Sequence, residues 1–210
     1  MGPDEGDPYE TTRASYDRVA QRYADKRRDR TAVEGDLDRF ASLLSPGSLV
    51  LDVGCGPGFD GAILRERGLR VVGLDRSTGM LRSGLDPWPG PRVQADMRAL
   101  PVRARIDGIW ASASLLHLER RDVPAALAGF RRVLAPAGRL YLSVKGGSGG
   151  AWDEKPYGLD APRWFTYWTG DALDAVLDAA GFDVTERLDD RPGRGGAQYW
   201  VVRMARVRSA

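Results

Sequence analysis

Three aspartates and a cluster of glycines carry the first chemical signal in this chain. In "LDVGCGPGFDG", residues 51–61, Asp52 stands just before Gly54, Gly56 and Gly58; Asp75 closes the apolar run "RVVGLD", and Asp96 closes "PRVQAD". Glycines without side chains let a ligand approach the backbone closely. Asp75 lies 17 residues after Gly58, near the spacing at which an acidic residue meets a ribose diol, both of whose hydroxyls a carboxylate can accept. Asp96 suits an adenine amino group, so the pair implies an adenosine ligand. A glycine turn opening a helix ordinarily holds a pyrophosphate. The negative charge of Asp52 opposes that and suits a cation. S-adenosylmethionine (SAM) carries an ammonium and a sulfonium, so charge favours it over NAD. Gly56, Gly58 and Gly61 also fit GxGxxG, which keeps an NAD(P)-dependent oxidoreductase open as an alternative.

Two further groups of residues bear on chemistry. His117, the sole histidine, follows the fourth apolar run, and an imidazole of ordinary pKa suits a general base. The stretch "AWDEKPYGLDAPRWFTYW" concentrates aromatic side chains. With the glycine-rich 146–150 as hinge, 146–168 is expected to be a lid without its own secondary structure over a small, partly apolar acceptor. Lys145, Trp152, Arg163, Trp164 and Tyr167 are the expected acceptor-binding residues, with Arg163 and Lys155 available to an acidic group. Asp153, Glu154 and Asp160 in the same stretch oppose a nucleic-acid groove.

These residues need elements to hold them. Tyr16, Val19, Ala20 and Tyr23, then Val33, Leu37, Phe40 and Leu44, follow helical spacing, so 11–44 reads as helices. From "SLVLDV" onward, apolar runs alternate with helical patterns. Ser77 is expected to cap a short helix and Asp122 a long one; another helix follows Thr169. "FDVTERL" and "QYWVVRMARV" close the chain as antiparallel strands, with 191–196 as their connection. Strand–helix alternation implies an α/β fold with a parallel sheet covered on both faces. One domain is expected, divided into an N-terminal tail with helices (1–45) and the main body (46–210).

"LDVGCGPG", "VVGLDRSTGML", "VQADMRALP", "DGIWASASLLHL" and "FRRVLAPAGRLYLSV" resemble the successive motifs of class I SAM-dependent methyltransferases, most of all the type 11 group. The resemblance covers roughly 48–145. It implies a Rossmann-like, seven-stranded, mostly parallel sheet of order 3-2-1-4-5-7-6 with the last strand antiparallel. It also implies a cofactor site drawn from Asp52, Gly54, Cys55, Gly56, Asp75, Arg76, Met80, Asp96, Met97, Ala111 and Ser112, with 1–45 as a tail and helical cap over that site contributing Tyr16 and Tyr23.

Composition narrows the partners. The chain has 210 residues with 42% hydrophobic and 29% charged, and no apolar stretch long enough to span a membrane. The acidic N-terminus lacks a signal-like apolar core, and one cysteine, Cys55, permits no intrachain disulfide. A cytoplasmic location is expected. Net charge is +2, and the arginine clusters are interleaved with acids, which argues against a nucleic-acid stripe. "ASAS" at 111–114 stands where DNA amino-methyltransferases carry an NPPY-type motif. No metal site is expected. The expectation is a monomeric or homodimeric methyltransferase acting on an oxygen or nitrogen of a small molecule, such as a specialised metabolite. RNA (tRNA included) or protein methylation and a non-catalytic SAM-fold partner protein stand as alternatives.

Overall fold

The computed structural model describes residues 7–83, 90–103, 105–188, 191–192 and 199–209. Helices α1 (Pro8–Arg27) and α2 (Thr31–Ser42) come first. Then follow β1 (Leu49–Val53), α3 (Phe59–Glu66), β2 (Arg70–Asp75), α4 (Thr78–Ser83), β3 (Arg92–Gln94), β4 (Ile106–Ser112), α5 (Val123–Val133) and β5 (Leu134–Lys145). After these come β6 (Gly150–Asp153), β7 (Arg163–Thr166), α6 (Gly170–Ala179), β8 (Phe182–Arg187), the two-residue β9 (Arg191–Pro192) and β10 (Tyr199–Val207).

The main sheet runs β3-β2-β1-β4-β5-β10-β8, with β9 beside β10. With the separate pair β6–β7 and the two-residue β9 set aside, this is the expected order 3-2-1-4-5-7-6. β1 is parallel to β2 and β4, whereas β10 is antiparallel to both β5 and β8. Alternation along β1 explains why "LVLDV" is apolar throughout. Leu51 and Val53 pack with Leu127 and Phe130 of α5 and Leu173 of α6, while Val50 packs on the opposite face with Leu37 and Phe40 of α2 and Leu64 of α3. On that second face Trp110 stacks on Tyr141 with ring centroids 3.7 Å apart.

Capping follows expectation in part. Ser77 Oγ accepts from Met80 N–H (3.1 Å) and Thr169 Oγ1 from Ala172 N–H (3.3 Å). Asp122 precedes α5 but makes no capping hydrogen bond; its carboxylate turns toward Arg98 instead. The segment 146–168 is a correction. It holds the antiparallel pair β6–β7, in which Trp152 lies opposite Trp164. Four-residue strands are too short to show alternation, and a cross-strand tryptophan pair supplies the stabilisation. The connection 191–196 pairs at Arg191–Pro192 with β10; the rest of it, like the tail 1–6, lies outside the described residues. Among those residues no helix is long and apolar enough to cross a membrane.

Candidate functional site

The carboxyl ends of β1, β2 and β4 open onto a cavity that α1 crosses. Tyr16, Tyr23, Gly54, Gly56, Asp75, Arg76, Met80, Met97 and Ser112 line it, all expected from sequence. The turn after β1 depends on glycine. Gly54 has φ +72°, and a Cβ there would stand 2.3 Å from Ser114 Cβ; at Gly56 (φ +54°) it would meet Met80 Cε at 3.0 Å. Asp75 holds this turn in place: one carboxylate oxygen accepts from Gly56 N–H (2.9 Å), the other from Ser77 N–H (2.8 Å). Each oxygen keeps acceptor capacity for a ligand. Burial pushes the Asp75 carboxyl up to about 6 despite those two donors.

Four expected cofactor residues do not line the cavity. Asp52 is buried beneath the turn, and its Oδ2 has no partner. Burial and the neighbouring Asp60 raise its carboxyl well above the usual range. Asp96 is committed to Arg98, with Nη2 at 2.8 Å, and caps the short turn Met97–Ala99. Ala111 is fully buried inside β4. Cys55 is buried and its thiol raised well above the ordinary value by burial, which leaves it inert.

Two residues that dock α1 are absent from the set expected from sequence. Asp17 accepts from Ser77 Oγ (2.6 Å) and Gly79 N–H (2.8 Å), tying α1 to the first turn of α4. Tyr9 lies between the guanidinium groups of Arg76 and Arg98, each 4.6 Å from its ring. Tyr9, Thr12, Tyr16 and Tyr23 share one helix face by spacing. That signal is present in the sequence, but α1 begins at Pro8, earlier than the periodicity suggests.

A second cavity of about 310 Å³ adjoins the first. Tyr16, Tyr23, Ser112, Ala113 and His117 line both. Of the expected acceptor residues, Lys145 and Arg163 line it, whereas Trp152, Trp164 and Tyr167 do not. Strand alternation is the reason: Arg163 and Phe165 of β7 point inward, so Trp164 points away and packs edge-on against Trp152 at 5.5 Å. Tyr141 and Trp200, from distant strands, complete the aromatic walls. Ala113 (φ 52°) and Tyr157 (φ 59°) both hold left-handed backbone here, where strain often marks function.

His117 is not presented as a base. Its Nδ1 lies 2.8 Å from the Trp164 carbonyl, which can only accept, so Nδ1 carries the proton. Nε2 then accepts from the Tyr16 hydroxyl at 2.9 Å, and the Tyr16 oxygen accepts from Arg163 Nη1 at 3.3 Å. Burial, with Arg163 and Lys145 nearby, lowers the imidazole to about 3. The native state therefore holds His117 neutral while the unfolded chain protonates it below 6.5. Stability is present above 6.5 and lost as pH falls toward 3. The unfolding free-energy advantage of wild type over His117→Asn is expected to shrink by about 1.4 kcal/mol per pH unit in that window. Urea unfolding of both proteins from neutral to acidic pH measures it; a pH-independent difference counts against the neutral assignment.

Residues 51–142 match the model of a methyltransferase domain family. An uncharacterised methyltransferase of Geobacillus kaustophilus is 30% identical over 148 residues, spanning 68% of this chain and 67% of that protein. The chain belongs to the class I SAM-dependent methyltransferases. Trans-aconitate 2-methyltransferase of Azoarcus sp. is 39% identical over 104 residues, covering 48% of this chain and 40% of that one. This methyltransferase chain spans about half the length of most of the curated relatives it matches. In fold it is similar to a 1,6-didemethyltoxoflavin N1-methyltransferase of Burkholderia thailandensis solved with 1,6-didemethyltoxoflavin and S-adenosylhomocysteine. That likeness has TM-score 0.80 and 24% identity, covering 100% of this chain and 94% of the other.

Proposed function

We propose that this chain transfers a methyl group from SAM to an oxygen or nitrogen of a small-molecule acceptor. The observation that carries this reading is the shared wall of the two cavities: Tyr16, Tyr23, Ser112, Ala113 and His117 belong to both. A donor in the first cavity and an acceptor in the second meet there, as in-line displacement requires.

SAM supplies a methyl already activated on a sulfonium, so the chain's task is positioning and exclusion of water. Asp75 would hold the ribose diol. Leu74, Met80 and Met97 offer an apolar bed for a flat base, and the Gly54–Gly56 turn admits the methionyl part. The first cavity holds about 70 Å³, against several hundred for a ligand of this size, so side chains lining it would give way on binding. At the shared wall the Tyr16 hydroxyl donates to His117 and accepts from Arg163. Its remaining lone pair can accept from the N–H or O–H of an acceptor and aim it. Burial raises Tyr16 above its ordinary pKa, so the phenol stays neutral. His117 and Arg163 act through it as positioning residues.

The test is incubation of the protein with methyl-labelled SAM and a cell extract separated into small-molecule, RNA and protein fractions, read by mass spectrometry. Label is expected in the small-molecule fraction alone. Label confined to RNA or protein overturns the acceptor class. Calorimetric binding of NAD without binding of S-adenosylhomocysteine overturns the methyltransferase reading itself.

A further inference from the structure

The second cavity is lined by two cationic side chains, Lys145 and Arg163, with donor groups that have no partner. Its bearing on the acceptor rests on the proposed methyl transfer, in which that cavity holds the acceptor. Arg163 is 8% exposed. Its Nη2 pairs with Asp153 at 2.5 Å and its Nη1 reaches Tyr16, but its Nε is buried with no partner. The guanidinium is caged by aromatic rings: its Cζ lies 5.3 Å from Tyr16, 5.4 Å from Tyr157 and 5.3 Å from Phe165. Lys145, half-buried at the end of β5, sets its ammonium 3.4 Å from the same Phe165 ring. That ammonium has no hydrogen bond or ion pair among the described residues. The Tyr157 hydroxyl lines the same cavity, also buried and unpartnered.

Two cations and a hydroxyl donor thus come from residues that line one cavity, with Asp153 already committed to Arg163. Asp29 and Asp36 line the same cavity, but the charges that act on Lys145 are Arg163, Asp153 and Arg27. Asp36 accepts from the Tyr141 hydroxyl at 2.8 Å, and Asp29 caps the start of α2 through Thr31. Unpartnered buried donors are costly unless a ligand satisfies them. Three donors match the oxygens of one carboxylate. A phosphate matches less well, because both terminal nitrogens of Arg163 are already used and no bidentate fork remains.

We propose that the acceptor carries a carboxylate, and that Lys145, the Tyr157 hydroxyl and Arg163 Nε recognise it. The aromatic walls of Phe165, Tyr141 and Trp200 take the rest of the molecule. The surroundings of Lys145 agree: burial and the neighbouring Arg163 lower its ammonium to about 8, Arg27 adds to the lowering, and Asp153 only partly opposes it. An anion placed there relieves that repulsion.

Benzoate and benzamide, alike in shape and different in charge, are the probes, titrated into the protein saturated with S-adenosylhomocysteine. The chain has only three lysines, Lys26, Lys145 and Lys155, so isotopic lysine labelling gives an NMR signal for Lys145 assigned by its loss in Lys145→Met. Benzoate is expected to bind about tenfold tighter than benzamide, and to raise the titration of Lys145 by about one pH unit, which corresponds to about tenfold tighter binding of benzoate to the ammonium than to the amine form. Lys145→Met is expected to bind S-adenosylhomocysteine as wild type does and to lose the preference for benzoate. Equal binding of the two probes, an unmoved Lys145 signal, or a preference that survives in Lys145→Met overturns the carboxylate site while leaving the methyltransferase reading intact. Failure of S-adenosylhomocysteine to bind wild type overturns that reading, and the carboxylate site with it.

Discussion

Gly54→Ala is expected to destabilise the protein by about 2–5 kcal/mol, while Gly35→Ala stabilises it by about 0.5–1 kcal/mol. The two substitutions add the same methyl group to opposite situations. Gly54 sits at φ +72°, where an L side chain is strained, and its new Cβ would lie 2.3 Å from Ser114 Cβ. Ser114 is buried directly after β4, so neither side of the contact has room to withdraw. Left-handed backbone costs about 1–2 kcal/mol and overpacking about 1–3 kcal/mol. Gly35 lies inside α2 and is exposed, and a Cβ there meets nothing within 4 Å. Denaturant unfolding of both variants measures the pair. A Gly54→Ala protein as stable as wild type contradicts the close approach of the β1 turn to Ser114. Ser114→Gly, which removes the opposing Cβ, is expected to restore part of the loss in the double variant.

Asp75→Ala is expected to weaken S-adenosylhomocysteine binding by about 1.5–3 kcal/mol, roughly ten- to a hundredfold. The carboxylate has two tasks that fail together. On the proposed reading it receives the ribose hydroxyls, and it ties Gly56 N–H and Ser77 N–H into one turn. Its buried carboxyl titrates at about 6. Only the ionised form accepts both hydroxyls, so below 6 the free protein must release a proton in order to bind. Wild-type affinity is therefore expected to fall by about tenfold per pH unit below about 6 and to level off above it. The alanine variant is expected to show no such limb. Calorimetry across this range checks both statements, and a flat wild-type profile removes Asp75 from the diol.

Local patterns made much of this protein legible from its residues alone. Apolar runs ending in Asp52 and Asp75, each followed by a helical pattern, require parallel strands buried on both faces, and Val50 and Leu51 packing on opposite sides of β1 show why. The glycine turn after β1 and the acid after β2 share one rim because parallel strands bring every carboxyl end to the same edge. Helical spacing puts Tyr16 and Tyr23 on one face of α1, and the resemblance to class I methyltransferases set that face over the rim.

What only the tertiary structure decided is how each polar atom is spent. Asp52, Asp75 and Asp96 look equivalent in sequence, yet Asp75 alone faces the cavity. Asp96 is taken by Arg98, and Asp52 is sealed beneath the turn. His117 has the composition of a base, but the Trp164 carbonyl and the Tyr16 hydroxyl occupy both of its nitrogens from segments 47 and 101 residues away. Arg163 and Trp164 are adjacent in sequence and fall on opposite faces of β7, so one lines the second cavity and the other does not. A residue's type and its local period are written in the chain. The partner that claims its hydrogen bond comes from another element, and in a covered sheet that partner arrives only when the layers close.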